Sequence, residues 1–279
     1  MNLLACLCGS KSWAPGFQAR HSTYRRCDSC GTHFRISVDV DKGQREDFRD
    51  TYARQPRVQS AAERRRQLWP DLLERIANSY DEDHPNQSGR KPNLLDVGCG
   101  FGDFLVAAQK LDWMVHGIEM NQLMKEKCEE LGIEITSNLL PQGAYATKSF
   151  DVITYFNVLD SIPDPVKELE TARKRLSKAG RAWIRVPNGS FHTALLSRLK
   201  HLPALGSWYL NREWSPLNTW MITPKGLRLL LEGAGFGSVR ITASPLKHRG
   251  ILGRLLEKRP QIGSIGLCSS SILASGRKE

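Results

Sequence analysis

No stretch of the 279-residue chain approaches the ~20 consecutive apolar residues that a membrane span requires, so a transmembrane anchor is not expected. Met1 to Cys6 has no basic leader and no room for a hydrophobic region before its cysteine. This argues against a lipid-attachment signal and for a cytoplasmic protein. No internal repeat or low-complexity tract is visible, and a 40% apolar, 25% charged composition excludes wholesale disorder. Cysteine is not distributed as in a secreted disulfide framework. Four of the seven fall within the first thirty residues, a clustering that suggests a metal.

Acidic residues are in deficit. The formal charge is +11, and from Arg240 onward eight Lys or Arg face only two acids. Such a surplus suits an anionic partner such as nucleic acid, a phosphorylated sugar or an acidic headgroup, and equally a merely solvated basic surface. The length accommodates one large α/β domain with a small appendage. The divisions read as 1–40, short and cysteine-bearing with a strand at His33–Val40; 41–92, an Arg-rich solvated connector followed by a helix; and 93–279, the main domain. Leu68, Trp69, Leu72, Leu73 and Ile76 recur at helical spacing in the second of these.

From Asn93 onward strands and helices alternate. Strands are predicted at Asn93–Val97, Val115–Ile118, Ile133–Thr136, Phe150–Phe156, Ala182–Val186, Val239–Thr242 and Leu267–Ala274. Helices are predicted at Asp103–Leu111, Gln122–Leu131, Pro165–Ser177 and Pro224–Glu232, with Asp164 and Thr223 as capping residues ahead of a first-turn proline. The alternation predicts an α/β, Rossmann-like, doubly wound and mostly parallel seven-stranded sheet.

Leu94-Leu-Asp96-Val-Gly98-Cys-Gly100-Phe-Gly102-Asp103 joins the first of these strands to its helix. The glycines permit a tight turn and a close approach to a ligand, which also fits a dinucleotide. Asp96 at the strand end and Glu119 at the end of the next strand add carboxylates, the second placed to accept from ribose hydroxyls. This stretch resembles motif I of the class I S-adenosylmethionine methyltransferases, in the group related to ubiquinone biosynthesis. Gly117 to Met120, Ser149 to Pro165, Lys178 to Asn188 and Ile222 to Phe236 resemble the later units in order.

The resemblance implies that Asp96, Gly98, Gly100 and Gly102 surround the methionine moiety of S-adenosylmethionine. It implies Glu119 on the ribose, Met120 and Asn138 near the adenine, and Phe156, Asn157 and Val158 beneath the sulfonium. Cys99 is read as a packing residue. The family's Glu-His pair is Asp160-Ser161 here, leaving Asp160 and Tyr155 as candidate bases, with His192 and His201 in the insertion Gly189–Met221. Trp208, Tyr209, Trp214 and Trp220 in that insertion (189–222) suggest either an aromatic lid or packing onto the sheet.

Cys6-Leu-Cys8 and Cys27-Asp-Ser-Cys30-Gly31 resemble the small zinc ribbon that precedes some methyltransferases of this group. Cys8, Cys27 and Cys30 fit that pattern. Aligning on Cys8-Gly9 puts Ala5 where the first ligand usually stands, leaving Cys6 with an altered turn, His21 or His33 as the fourth, and a metal-free ribbon as the alternative. Such a zinc would be structural.

The favoured acceptor is a small molecule, sugar or glycan, an anionic one among them. The rival is RNA, methylated on a ring nitrogen, since the chain has neither an Asn/Asp-Pro-Pro-Tyr signature nor a Pro-Cys pair. A cofactor-binding subunit without its own catalysis is the second rival.

Overall fold

In the computed structural model, which describes residues 5–19, 22–38, 53–85, 89–198, 218–244 and 269–279, the cysteine-bearing segment is an antiparallel meander. Its strands are β1 (Trp13–Ala19), β2 (Ser22–Cys27) and β3 (His33–Val38). Two helices follow, α1 (Pro56–Arg66) and α2 (Trp69–Asp83). The second buries Trp69, Leu72, Leu73, Ile76 and Tyr80, a helical stripe facing the core. The first lies in the stretch read from sequence as solvated connector. It is a helix because Pro56 occupies its first turn and Val58 finds a buried position.

The main domain runs β4 (Asn93–Val97), α3 (Asp103–Gln109), β5 (Met114–Ile118), α4 (Gln122–Glu130) and β6 (Glu134–Thr136). It continues with β7 (Phe150–Phe156), α5 (Pro165–Arg175), β8 (Leu176–Pro187) and α6 (Gly189–Arg198). β9 (Trp220–Met221), α7 (Pro224–Gly233), β10 (Gly237–Ala243) and β11 (Ser271–Arg277) complete it. Asp164 and Thr223 cap α5 and α7, accepting from the amides of Lys167 and Gly226.

Seven strands form one sheet in the order β10-β11-β8-β7-β4-β5-β6. β4 to β8 pair in parallel, and β11 is antiparallel to both of its neighbours. This is the mostly parallel Rossmann-like sheet expected from the alternation. All seven residues of β7 are buried, as suits an interior parallel strand covered on both faces. The chain moves from β4 outward to β6, then returns to β7 on the other side of β4. That reversal opens a crevice at the carboxyl ends of β4 and β7.

The insertion after β8 begins as a helix and ends as β9, which pairs with β3, setting Phe34 against Trp220 and His33 against Met221. The Phe34 and Trp220 rings stand 4.6 Å apart, and Thr223 donates its hydroxyl to the Cys30 carbonyl at 2.7 Å. The meander therefore shares a four-stranded sheet with the insertion. His21, His201, Trp208, Tyr209, Trp214 and most of the basic tail lie outside the described residues. No helix among the described residues is long and apolar enough to cross a membrane.

Candidate functional site

Gly98, Gly100 and Gly102 hold φ values of 73°, 58° and 77°, so the turn after β4 is left-handed at alternate positions. A Cβ on Gly98 would lie 2.6 Å from Val158, which packs the post-β7 loop onto the turn. A Cβ on Gly100 would meet no protein atom within 4 Å and would project into open space. That space is a cavity of about 470 Å³. Asp96, Gly98, Gly100, Glu119, Met120, Phe156 and Asn157 all line it. Gly102 does not. It is the N-cap of α3, packed near Cys128 and Ile133. Asn138 is exposed and off the cavity wall, while its neighbours Leu139 and Gln142 are on it.

Glu119 is pinned by its own neighbourhood. One carboxylate oxygen accepts from the Gly100 amide at 2.9 Å and the other from the Asn121 amide at 2.8 Å. Each oxygen keeps a second acceptor position. Burial nonetheless pushes the Glu119 carboxyl above its ordinary pKa, against the pull of those amides. Asp96 accepts from the Thr154 hydroxyl at 2.6 Å. Burial lifts its pKa to about 7, with the Thr154 hydrogen bond opposing and the Glu119 charge adding to the rise. A buried carboxyl at Asp96 and a half-buried one at Glu119 beside one cavity favour a ligand that brings hydroxyl donors and positive charge. A ribose diol with a cationic amino acid tail, as in S-adenosylmethionine, supplies donors for both of these acceptors.

The opposite wall comes from residues that local sequence did not mark. Val58, Ala62 and Arg65 of α1, Trp69 of α2, and Ser161, Ile162 and Asn218 are among its lining residues. Trp69 stacks on Phe156 with centroids 5.8 Å apart. Asn157, at the end of β7, holds φ of 62°, an uncommon backbone for a non-glycine residue. Arg185 of β8 donates to its side-chain oxygen.

The three candidate bases are not on the wall. Side chains alternate along β7, so Tyr155 points away from the face of Thr154 and Phe156, and its hydroxyl donates to Glu168 of α5 at 3.0 Å. His192 is buried on α6 with Nε2 2.9 Å from the Ser270 carbonyl, and burial lowers its pKa to about 4. Asp160 is closer to the cavity. It is buried, accepts from the side-chain amide of Asn218, and has its pKa raised to about 6 by burial. Its contact with the cavity runs through Asn218 and Ser161.

At the other end of the fold, the thiols of Cys6, Cys8, Cys27 and Cys30 all lie within 4.8 Å of one another. Cys6 to Cys30 and Cys8 to Cys27 are both 3.6 Å apart. Four thiolates at about 2.3 Å from one tetrahedral ion would stand roughly 3.8 Å apart, so the set fits a closed structural zinc. Cys6 stands in the cluster, and His33 does not.

The methyltransferase domain family model matches residues 61–240. The ubiquinone biosynthesis O-methyltransferase of Methylococcus capsulatus is 27% identical over 121 residues, covering 41% of this chain and 50% of its own. That of Caulobacter vibrioides is 27% identical over 173 residues, covering 56% and 65%. The chain thus spans about half the length of the curated relatives it matches. Among solved structures, a SAM-dependent methyltransferase from Archaeoglobus fulgidus superposes with a TM-score of 0.53 at 18% identity, over 76% of this chain and 94% of that one. The plantazolicin methyltransferase BpumL, solved with S-adenosylhomocysteine, gives 0.53 at 15% identity, over 85% and 98%. At these identities the two structures speak for the fold.

Proposed function

Because the chain belongs to the methyltransferase domain family, in its class I S-adenosylmethionine-dependent group, we propose that it methylates a small-molecule, sugar or glycan-type acceptor at the cavity below β4 and β7. The observation carrying this reading is Glu119, clamped by the Gly100 and Asn121 amides with a free acceptor position left on each oxygen. Glu119 would hold the ribose, Met120 and Gln142 would flank the base, and Asp96 with the open face at Gly98 and Gly100 would receive the methionine end. When bound, S-adenosylmethionine supplies a methyl group already activated on a sulfonium. The protein's task is to align the acceptor and keep water away. Trp69, Phe101, Phe156 and Ile162 line the cavity for that purpose. Asp160 would act through Asn218, fixing the amide that faces the acceptor.

We further propose that Cys6, Cys8, Cys27 and Cys30 hold one structural zinc. The close mutual spacing of the thiols supports it. Four ligands leave no open position, so the metal would hold the meander and take no part in methyl transfer.

Incubation with methyl-labelled S-adenosylmethionine and fractionated metabolites, glycans and RNA tests the function. Label is expected in the small-molecule or glycan fraction. Label confined to RNA would transfer the reading to the nucleic-acid rival, and label nowhere, with the cofactor still bound, to the non-catalytic subunit.

A further inference from the structure

Arg185 is 6% exposed, yet no carboxylate pairs with it among the described residues. Its Nε donates to Ser244 Oγ at 2.8 Å, and a terminal nitrogen donates to Asn157 Oδ1, so both partners are neutral. A guanidinium withdrawn from water without a counter-charge is costly. Arg65, on the cavity wall, adds a second positive charge. After burial, it is the cause that lowers the Arg185 pKa, to about 10, which still leaves the group charged at neutral pH.

Asn157 stands between Arg185 and the cavity. Its Nδ2 is buried and meets no acceptor. Reversing the amide would not help, because its donors would then face the donors of Arg185. The corner thus offers a buried cation and an unsatisfied amide, on a residue whose left-handed backbone is itself the kind of strain kept at ligand sites. Sheet order separates it from the cofactor half. Arg185 pairs with Phe156 on β7, whereas Asp96 and Glu119 end β4 and β5 on the other side.

Resting on the methyltransferase reading above, we propose that Arg185 and Asn157 form an anion subsite that reads a carboxylate or phosphate on an otherwise apolar methyl acceptor. The aromatic and aliphatic walls, Trp69, Phe101, Phe156 and Ile162, receive the apolar body.

The test uses the full chain saturated with S-adenosylhomocysteine and titrated by calorimetry with benzoate, phenyl phosphate and uncharged benzamide. At least one anion is expected to bind ten-fold or more tightly than benzamide, its identity telling carboxylate from phosphate. Arg185→Gln should abolish that preference, and the Arg185 Nε resonance of the wild type should shift on saturation. Equal binding of all three probes, or a preference surviving in R185Q, overturns the subsite. So does a ten-fold loss of S-adenosylhomocysteine affinity in R185Q with no anion preference in the wild type, which would assign Arg185 to the cofactor. If R185Q does not fold, the benzamide comparison and the resonance shift in the wild type decide alone. Failure of the wild type to bind S-adenosylhomocysteine at all would instead remove the methyltransferase reading on which the subsite rests.

Discussion

Tyr155 donates its hydroxyl hydrogen to Glu168 across 3.0 Å, joining β7 to α5 on the face of the sheet away from the cavity. Burial raises the Glu168 pKa to about 7, with the Tyr155 hydrogen bond opposing. A carboxyl raised in the folded state binds its proton more tightly there than in the unfolded chain. Its destabilising contribution is therefore absent below about pH 4.5 and complete above about pH 7. Glu168→Gln cannot titrate but still accepts from Tyr155. Its stability relative to wild type should rise between those limits, by up to roughly 3 kcal/mol. Denaturant melts of both proteins at pH 4.5 and pH 8 check this, and a parallel pH response would remove the effect.

Loss of the Glu119 carboxylate should weaken cofactor binding by about 2–3 kcal/mol, since hydrogen bonds to a charged acceptor exceed neutral ones. Calorimetry of Glu119→Ala with S-adenosylhomocysteine measures it. Unchanged affinity would take Glu119 out of the site.

Asp96 gives the same ligand a pH dependence. Its pKa of about 7 in the free protein should fall when an ammonium group arrives, so binding releases a proton near neutrality. Affinity for S-adenosylhomocysteine should drop as pH falls through 7, and Asp96→Asn should flatten the response. Titrations in buffers of different ionisation enthalpy count the proton. No proton release would mean that Asp96 does not meet the cationic end.

Much of the wall proposed for the cofactor was legible because its signals are local. Three glycines within five residues, an acid at each of two strand ends, and a proline behind each capping residue need no distant partner to be recognised. The wall proposed for the acceptor was not, because its residues acquire meaning only across the fold. At 56–66 a helix with five arginine or glutamate side chains in eleven carries too few apolar positions to show a period. Only the fold shows that Val58, Ala62 and Arg65 face a cavity. β9 has two residues, too few for any alternation, and exists because β3 offers it an edge. Tyr155 looked available as a base because it neighbours Phe156 and Asn157. The pleat sends it to the other face.

The cysteine cluster predicts about one zinc per chain in protein purified without a histidine tag. Cys27→Ser with Cys30→Ser should abolish it and lower the melting temperature. Because Arg35 donates its amide to the Thr219 carbonyl and Thr219 donates to the Asp160 carbonyl, the loss should also loosen the cavity wall at Asn218. Metal analysis and a thermal melt suffice. Stoichiometric zinc in the double variant would show the ligand set to be wrong.

Salt separates the two acceptor classes. An RNA that neutralised six or so phosphates would lose affinity by ~10³ or more between low and moderate salt through counterion release. An acceptor with two or three charges should weaken far less. The shallow dependence is expected, and steep salt-sensitive binding to total RNA would overturn the small-molecule choice.

The pairing of β3 with β9 has a consequence for how the chain is made. Thr32 and Thr223 approach within 3.4 Å although they are 191 residues apart in sequence, and Phe34 waits almost as long for Trp220. A meander that leaves the ribosome ahead of that domain therefore keeps an unpaired edge, with its Phe34 ring uncovered by Trp220, until nearly the whole methyltransferase domain has been synthesised. Early metal capture by the four cysteines would give that segment a shape of its own during the wait. A segment translated ahead of the methyltransferase domain is thus completed only after that domain.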